Sequence, residues 1–150
     1  KRGTQKIGVL VSASAQRLRP EGITPLKPMQ FDIEKWWLGK DGEVNSSQHL
    51  EVPATQFACQ GLEVDWAIVG WDLSLIPGEQ DWIYKLFSVN SWKDRTDQRY
   101  LLNSFRVVLT RARQGMVVFI PKGSPDDPTR NPKHYDAIYN YLKEVGIEDL

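Results

Sequence analysis

Arg111 and Arg113 stand either side of Ala112 in Leu109-Thr110-Arg111-Ala112-Arg113-Gln114-Gly115, immediately before the apolar run Met116 to Ile120. A guanidinium group suits the spread-out charge of a phosphate, because its planar fork donates paired hydrogen bonds and never loses its proton. Tyr100, Leu101, Ser104, Phe105, Val108 and Leu109 recur at helical spacing, which predicts a helix over 97–113 started by Thr96 or Asp97. Met116 to Ile120 reads as a central strand. Both arginines therefore fall where a helix runs out into a strand, a place at which an α/β sheet presents side chains to a ligand at its edge. Phosphate binding is the chemistry this predicts. The plainer alternative is a solvated helix end, where the macrodipole favours cations anyway.

The elements that must position these arginines alternate along the chain. Ile7 to Val11 reads as a buried strand, and Ala13 to Leu18 as a short helix or turn ended by Pro20 and Gly22. Phe31 to Leu38 predicts a short helix started by Asp32, followed by a Gly39-Lys40-Asp41-Gly42 turn. Leu50 to Thr55 and Asp65 to Trp71 predict two further strands, with one helical turn over Gln56 to Gly61 between them. Asp72 to Trp92 reads as a long loop carrying part of its own helix, within an insertion at about 72–96. After a Pro/Asp-rich loop from Pro121 to Pro132, a helix over His134 to Val145 places Tyr135, Ile138, Tyr139 and Leu142 on one face. This alternation argues for an α/β fold with a mostly parallel, doubly wound sheet flanked by helices.

At 150 residues the chain is of single-domain size, and 41% hydrophobic with 25% charged residues is the composition of a soluble globular protein. Equal numbers of basic and acidic residues, 19 each, leave no global field to attract nucleic acid. Any such binding needs a local patch, and Lys93, Arg95, Arg99, Arg106, Arg111 and Arg113 supply one against Asp94 and Asp97. The single cysteine, Cys59, excludes an internal disulfide, suits a reducing compartment and reads as a small buried residue. No run approaches membrane-spanning length and the start lacks a signal-peptide core, so a cytoplasmic location without a membrane partner is expected. His49 and His134 are too isolated to argue a metal site. Among the six tryptophans, Trp66 and Trp71 read as core, while Trp82 and Trp92, near Lys85, Lys93 and Arg95, are the better candidates for base contact but read first as the insertion's own packing. One of the adjacent Trp36 and Trp37 is free to face a neighbouring domain.

Thr55-Gln56-Phe57-Ala58-Cys59-Gln60-Gly61-Leu62-Glu63-Val64-Asp65, and later Val107-Val108-Leu109-Thr110-Arg111-Ala112-Arg113-Gln114-Gly115, resemble motifs V and VI of superfamily 1 helicases, in that order. With Arg17-Leu18-Arg19-Pro20, and Asp127-Pro128-Thr129-Arg130 followed by Tyr135-Asp136, nearly the whole chain resembles the family grouped with Schlafen-type DNA/RNA helicase domains. The resemblance implies a three-layer RecA-like domain, the second, C-terminal half of a larger nucleic-acid-dependent ATPase. ATP and Mg²⁺ would lie between it and an N-terminal P-loop domain, with single-stranded DNA or RNA as the track. It implies that Arg111 is an arginine finger, stabilising charge on the transferred phosphoryl group, with Arg113 assisting it or paired with a local acid. By the same resemblance Gly61 admits phosphate close to the backbone, Gln60 reaches nucleotide or the coupling network, Glu63 accepts from ribose hydroxyls, and Thr55 contacts the nucleic-acid backbone. Arg106 departs from an uncharged polar residue common in relatives and adds a positive charge toward phosphate or nucleic acid.

A G-x-x-x-x-G-K-[ST] P-loop and an Asp-Glu Mg²⁺ motif are both missing from this sequence, so the chain is expected to hold half a site and to hydrolyse no ATP alone. The Lys1-Arg2-Gly3 start fits a fragment of a longer protein. The competing expectation is a non-catalytic nucleic-acid-binding or scaffold module that kept the fold. A small-molecule enzyme is disfavoured, because no Ser/His/Asp or Cys/His set can be placed in a cleft.

Overall fold

The computed structural model describes residues 5–40 and 42–150, so the Lys1-Arg2-Gly3 start and Asp41 of the expected turn lie outside the described residues. In chain order the elements are β1 (Ile7–Val11), α1 (Ile33–Leu38), β2 (Ala54–Thr55), β3 (Val64–Gly70), β4 (Leu75–Pro77), β5 (Trp82–Ser88), β6 (Ser91–Asp94), α2 (Gln98–Leu109), β7 (Ala112–Phe119) and α3 (Pro132–Glu144). Four strands form a parallel sheet in the order β2-β1-β3-β7, and β4-β5-β6 form a separate antiparallel sheet.

The parallel sheet was readable from its apolar runs, with two corrections. β7 lies at the edge of the sheet among the described residues, paired only with β3, rather than at its centre. The first edge strand is reduced to Ala54–Thr55, because Ser47–His49 form a 3₁₀ turn, Leu50 takes a left-handed φ of 63°, and Pro53 has no N–H to give a ladder. One sheet face carries Leu10, Ala67 and Val69, covered by Trp36 of α1 and Val108 of α2. On the other, Val9 and Val11 pack with Ala15, Leu18 and Ile23 from around a 3₁₀ segment, Gln16–Glu21. The helices thus cover one face, and the opposite face has short turns.

The segment expected as a loop with part of a helix is the antiparallel sheet. It does not build a private core. Leu75 and Ile76 join Trp71, Leu101 and Phe105, and Tyr135, Ile138 and Leu142 of α3, in one cluster beyond the carboxyl end of β3. Trp71 stacks on Trp82 at 6.0 Å and contacts Phe105 at 4.7 Å, so aromatic area welds the insertion to both helices. Asn131 caps α3 by accepting from the Lys133 N–H at 3.0 Å, and Asp32 caps α1 by accepting from the Lys35 N–H at 3.0 Å. Asp97 occupies the N-cap position of α2 without capping it; its carboxylate takes Arg95 Nη2 at 2.8 Å.

Candidate functional site

The helix expected to run through Arg113 ends at Leu109. Thr110 folds its hydroxyl back onto the Arg106 carbonyl at 2.8 Å, and the Arg111 carbonyl accepts the Val64 N–H at 2.9 Å, which draws the chain into the sheet. That backbone bond begins the Val64–Ala112 pairing that joins the two motifs. It places Glu63 and Arg111 side by side at the amino ends of β3 and β7. Open α/β sheets commonly bind ligands at the carboxyl ends of their strands, so the arginine pair marks the opposite edge from the one that rule selects.

Arg111 is half-buried. Its Nε donates to the Val107 carbonyl at 3.1 Å and its Nη2 to Thr110 Oγ1 at 3.2 Å, so the guanidinium closes the helix end. Arg113 belongs to β7 and is tied to a local acid: its Nη2 donates to Asp65 Oδ1 at 3.0 Å. Asp65 also accepts from the Lys6 N–H at 2.7 Å and Gln114 Nε2 at 3.2 Å. The Lys6 amide foremost, with Gln114 and Arg113, holds the Asp65 carboxyl below the usual range. Gln60, Gly61 and Glu63 are exposed on the approach to β3. Gly61 has a φ of 83° and a Cβ there would meet nothing within 4 Å, so glycine serves the backbone conformation and leaves open space above it. Beneath this loop Cys59 is 2% exposed, and burial, partly opposed by Arg111, pushes its thiol up to about 11.

The carboxyl edge, where the strand order reverses beside β1, is filled by the protein itself. Asp72, just past β3, is completely buried, accepts the Ser74 N–H at 3.0 Å, and shares its surroundings with Tyr135, Arg17 and Arg130. Arg17 pairs with Asp127 and Arg130 with Glu21, which locks the 3₁₀ segment to the 121–131 loop over this crevice. A groove of about 360 Å³ between β7 and α3, lined by Met116, Val118, Ile120, Leu142 and Ile147, is apolar and holds none of the sequence-selected residues.

Thr55 ends β2 at this carboxyl edge and is 4% exposed. Its neighbour Gln56, which no motif singles out, is 6% exposed, accepts the Ala13 N–H at 2.8 Å and donates to Tyr100 Oη at 3.4 Å. Tyr100, on the face of α2 that carries the helical spacing, is 42% exposed. Arg106 is exposed and donates to Asn103 Oδ1 at 3.3 Å. The basic stretch is not one patch. The 12 residues of α2 span about 18 Å, leaving Lys93, Arg95 and Arg99 at its start and Arg106, Arg111 and Arg113 toward its end.

The tryptophans mostly pack. Trp36 and Trp71 are buried, Trp82 meets Tyr141 edge-on at 4.8 Å, and Trp92 donates to the Thr129 carbonyl at 2.7 Å. Trp66 corrects its expectation: it is 40% exposed and lies over Gly115, where a Cβ would come within 2.4 Å of the indole. Trp37 is partly buried, with Lys6 Nζ 5.3 Å from its ring centroid. Among the described residues, no three His, Cys, Asp or Glu side chains gather to hold a metal, and no helix is long and apolar enough to cross a membrane.

A family model described as "Schlafen group 3, DNA/RNA helicase domain" matches residues 1–122 of the 150. No curated protein and no solved structure gives a significant match.

Proposed function

This chain belongs to the Schlafen group 3 DNA/RNA helicase domain family, and on that premise we propose that it is the second RecA-like domain of a nucleic-acid-dependent ATPase of superfamily 1. The observation that carries the reading is the Val64 to Arg111 backbone bond, which sets an exposed Glu63 and a half-buried Arg111 side by side at the amino edge of the sheet. Each residue is suited to a different part of a nucleoside triphosphate. Glu63 is an exposed carboxylate able to accept from ribose hydroxyls, and Arg111 brings a fixed positive charge toward the terminal phosphate. Gly61 leaves the backbone open to a close approach, and Gln60 borders it.

Within this reading Arg113 is a positioning residue, because Asp65 already takes its guanidinium. Arg111 must exchange its contacts with Val107 and Thr110 for phosphate when a P-loop domain closes onto this edge. In this reading the P-loop and the acidic residues for Mg²⁺ would come from that partner domain. Thr55, Gln56 and Gly61 lie on one connection that runs from the carboxyl edge to the amino edge. A strand of DNA or RNA at the carboxyl edge and ATP at the amino edge would thereby be coupled through a single loop, with Thr55 on the track side and Arg106, toward the end of α2, on the ATP side.

Substrate truncation tests Glu63 directly. In the full-length protein, ATP should outperform 2′,3′-dideoxy-ATP in kcat/KM, and Glu63→Ala should erase the difference, a loss of about 10-fold from one charge-assisted hydrogen bond. Equal discrimination by both proteins would remove Glu63 from the site. A second reading, a non-catalytic nucleic-acid-binding or scaffold module, is favoured by one observation: Arg111 is already hydrogen-bonded within its own helix end.

A further inference from the structure

We infer that Phe57 and Tyr100 form a stacking platform for the bases of a single-stranded nucleic acid at the carboxyl edge of the parallel sheet. The inference rests on the proposed function for its ligand class and extends it to a site that neither Thr55 nor Arg106 provides.

Two large aromatic side chains are left in water here. Phe57 is 49% exposed and Tyr100 42%, with ring centroids 6.2 Å apart and planes inclined by 38°. Exposure alone carries little, since single apolar groups on a surface are ordinary. What distinguishes this pair is how firmly it is held. Tyr100 Oη takes a hydrogen bond from Gln56, whose 6% exposed side chain also accepts the Ala13 N–H at the end of β1. Arg95 sits against the Tyr100 ring, its guanidinium carbon 5.4 Å from the centroid. That arginine is itself fixed, by Asp97 and by Ser14 Oγ at 2.7 Å, with its side chain only 10% exposed. Three segments from different parts of the chain, the exits of β1 and β2 and the start of α2, converge to hold two exposed rings in place.

The chemistry around the rings selects the occupant. An apolar protein partner would need aliphatic neighbours, and the rings meet instead Gln56 and Arg95, the latter already paired with Asp97, with exposed Arg99 adjoining Tyr100. A ligand with flat faces and negative charge matches that setting. Single-stranded nucleic acid has both, while a duplex hides its base faces. Because every base has a π-face, the platform tolerates any sequence.

The test is equilibrium binding of a fluorescein-labelled oligo-dT of about 12 nucleotides to the full-length protein, beside an oligonucleotide of the same length carrying abasic sites. Wild type should prefer the base-bearing strand. Phe57→Ala and Tyr100→Ala should each lose roughly 5- to 150-fold in affinity for oligo-dT and change little toward the abasic strand. Phe57→Tyr and Tyr100→Phe keep the rings and should bind as wild type, which separates stacking from a folding defect. Alanine variants that bind oligo-dT as tightly as wild type overturn the platform, and retained nucleic-acid-stimulated ATP hydrolysis in them would show that the proposed function survives its loss. A wild-type protein that binds neither strand overturns both.

Discussion

Replacing Asp72 by Asn should stabilise this fold at neutral pH. Asp72 is fully buried, and desolvation raises its carboxyl from 3.8 to about 6 against the hydrogen bonds from Ser74 and the Arg17 amide that favour the charged form. The folded state therefore holds this proton at pH values where the unfolded chain has released it. Stability falls as pH rises from about 4 to about 6, and the full penalty persists above that. A shift of about two units corresponds to about 3 kcal/mol. Asn cannot ionise, retains an oxygen to accept the Ser74 N–H, and brings an NH₂ group next to Ser74 Oγ, which has no hydrogen-bond partner among the described residues. Urea unfolding followed by tryptophan fluorescence should give Asp72→Asn up to about 3 kcal/mol more stability at pH 7.5 and about half that at pH 5. A variant destabilised by the same amount at both pH values would refute the reasoning, and would mean that Arg17 and Arg130 hold Asp72 as a needed charge.

Gly8→Ala should destabilise the domain by about 1–3 kcal/mol in thermal denaturation, because the new methyl meets Trp36 Cζ2 at 2.8 Å and the buried indole is held by its bond to the Val52 carbonyl. An unchanged Tm would show that α1 is free to shift. Cys59 should resist a disulfide reagent at pH 8 in the native protein and react at once in urea, since burial lifts its thiol to about 11. Rapid native labelling would contradict the packing of the Gln56–Gly61 turn against α2.

The apolar run Ile7 to Val11 and the strand before Trp71 were legible because buried parallel strands read as continuous hydrophobic segments. That property also hid the position of β7, since Met116 to Ile120 has the same composition at an edge as at a centre. The antiparallel sheet escaped for a different reason. Its strands share a core with α2 and α3, so burial in Trp82 to Ser88 is set by distant partners and no clean alternation survives. At the site, the motif resemblance singled out Glu63 and Arg111, which the β3–β7 register sets side by side; of the two roles expected for Arg113, the fold supplies the local acid, Asp65, beside the register shift between β3 and β7. Gln56 and Tyr100 were missed because their roles arise from contacts across more than forty positions of sequence. Phe57 did carry a signal: it is a lone aromatic in a polar turn.

The most direct test of the account is nucleic-acid-stimulated ATP hydrolysis by the full-length protein, measured beside its Arg111→Ala variant. In the variant kcat should fall on the order of 10³-fold or more while ATP binding and the circular dichroism spectrum persist. Turnover at the wild-type rate in the variant would contradict it, and would leave Arg111 as the closing residue of a helix end.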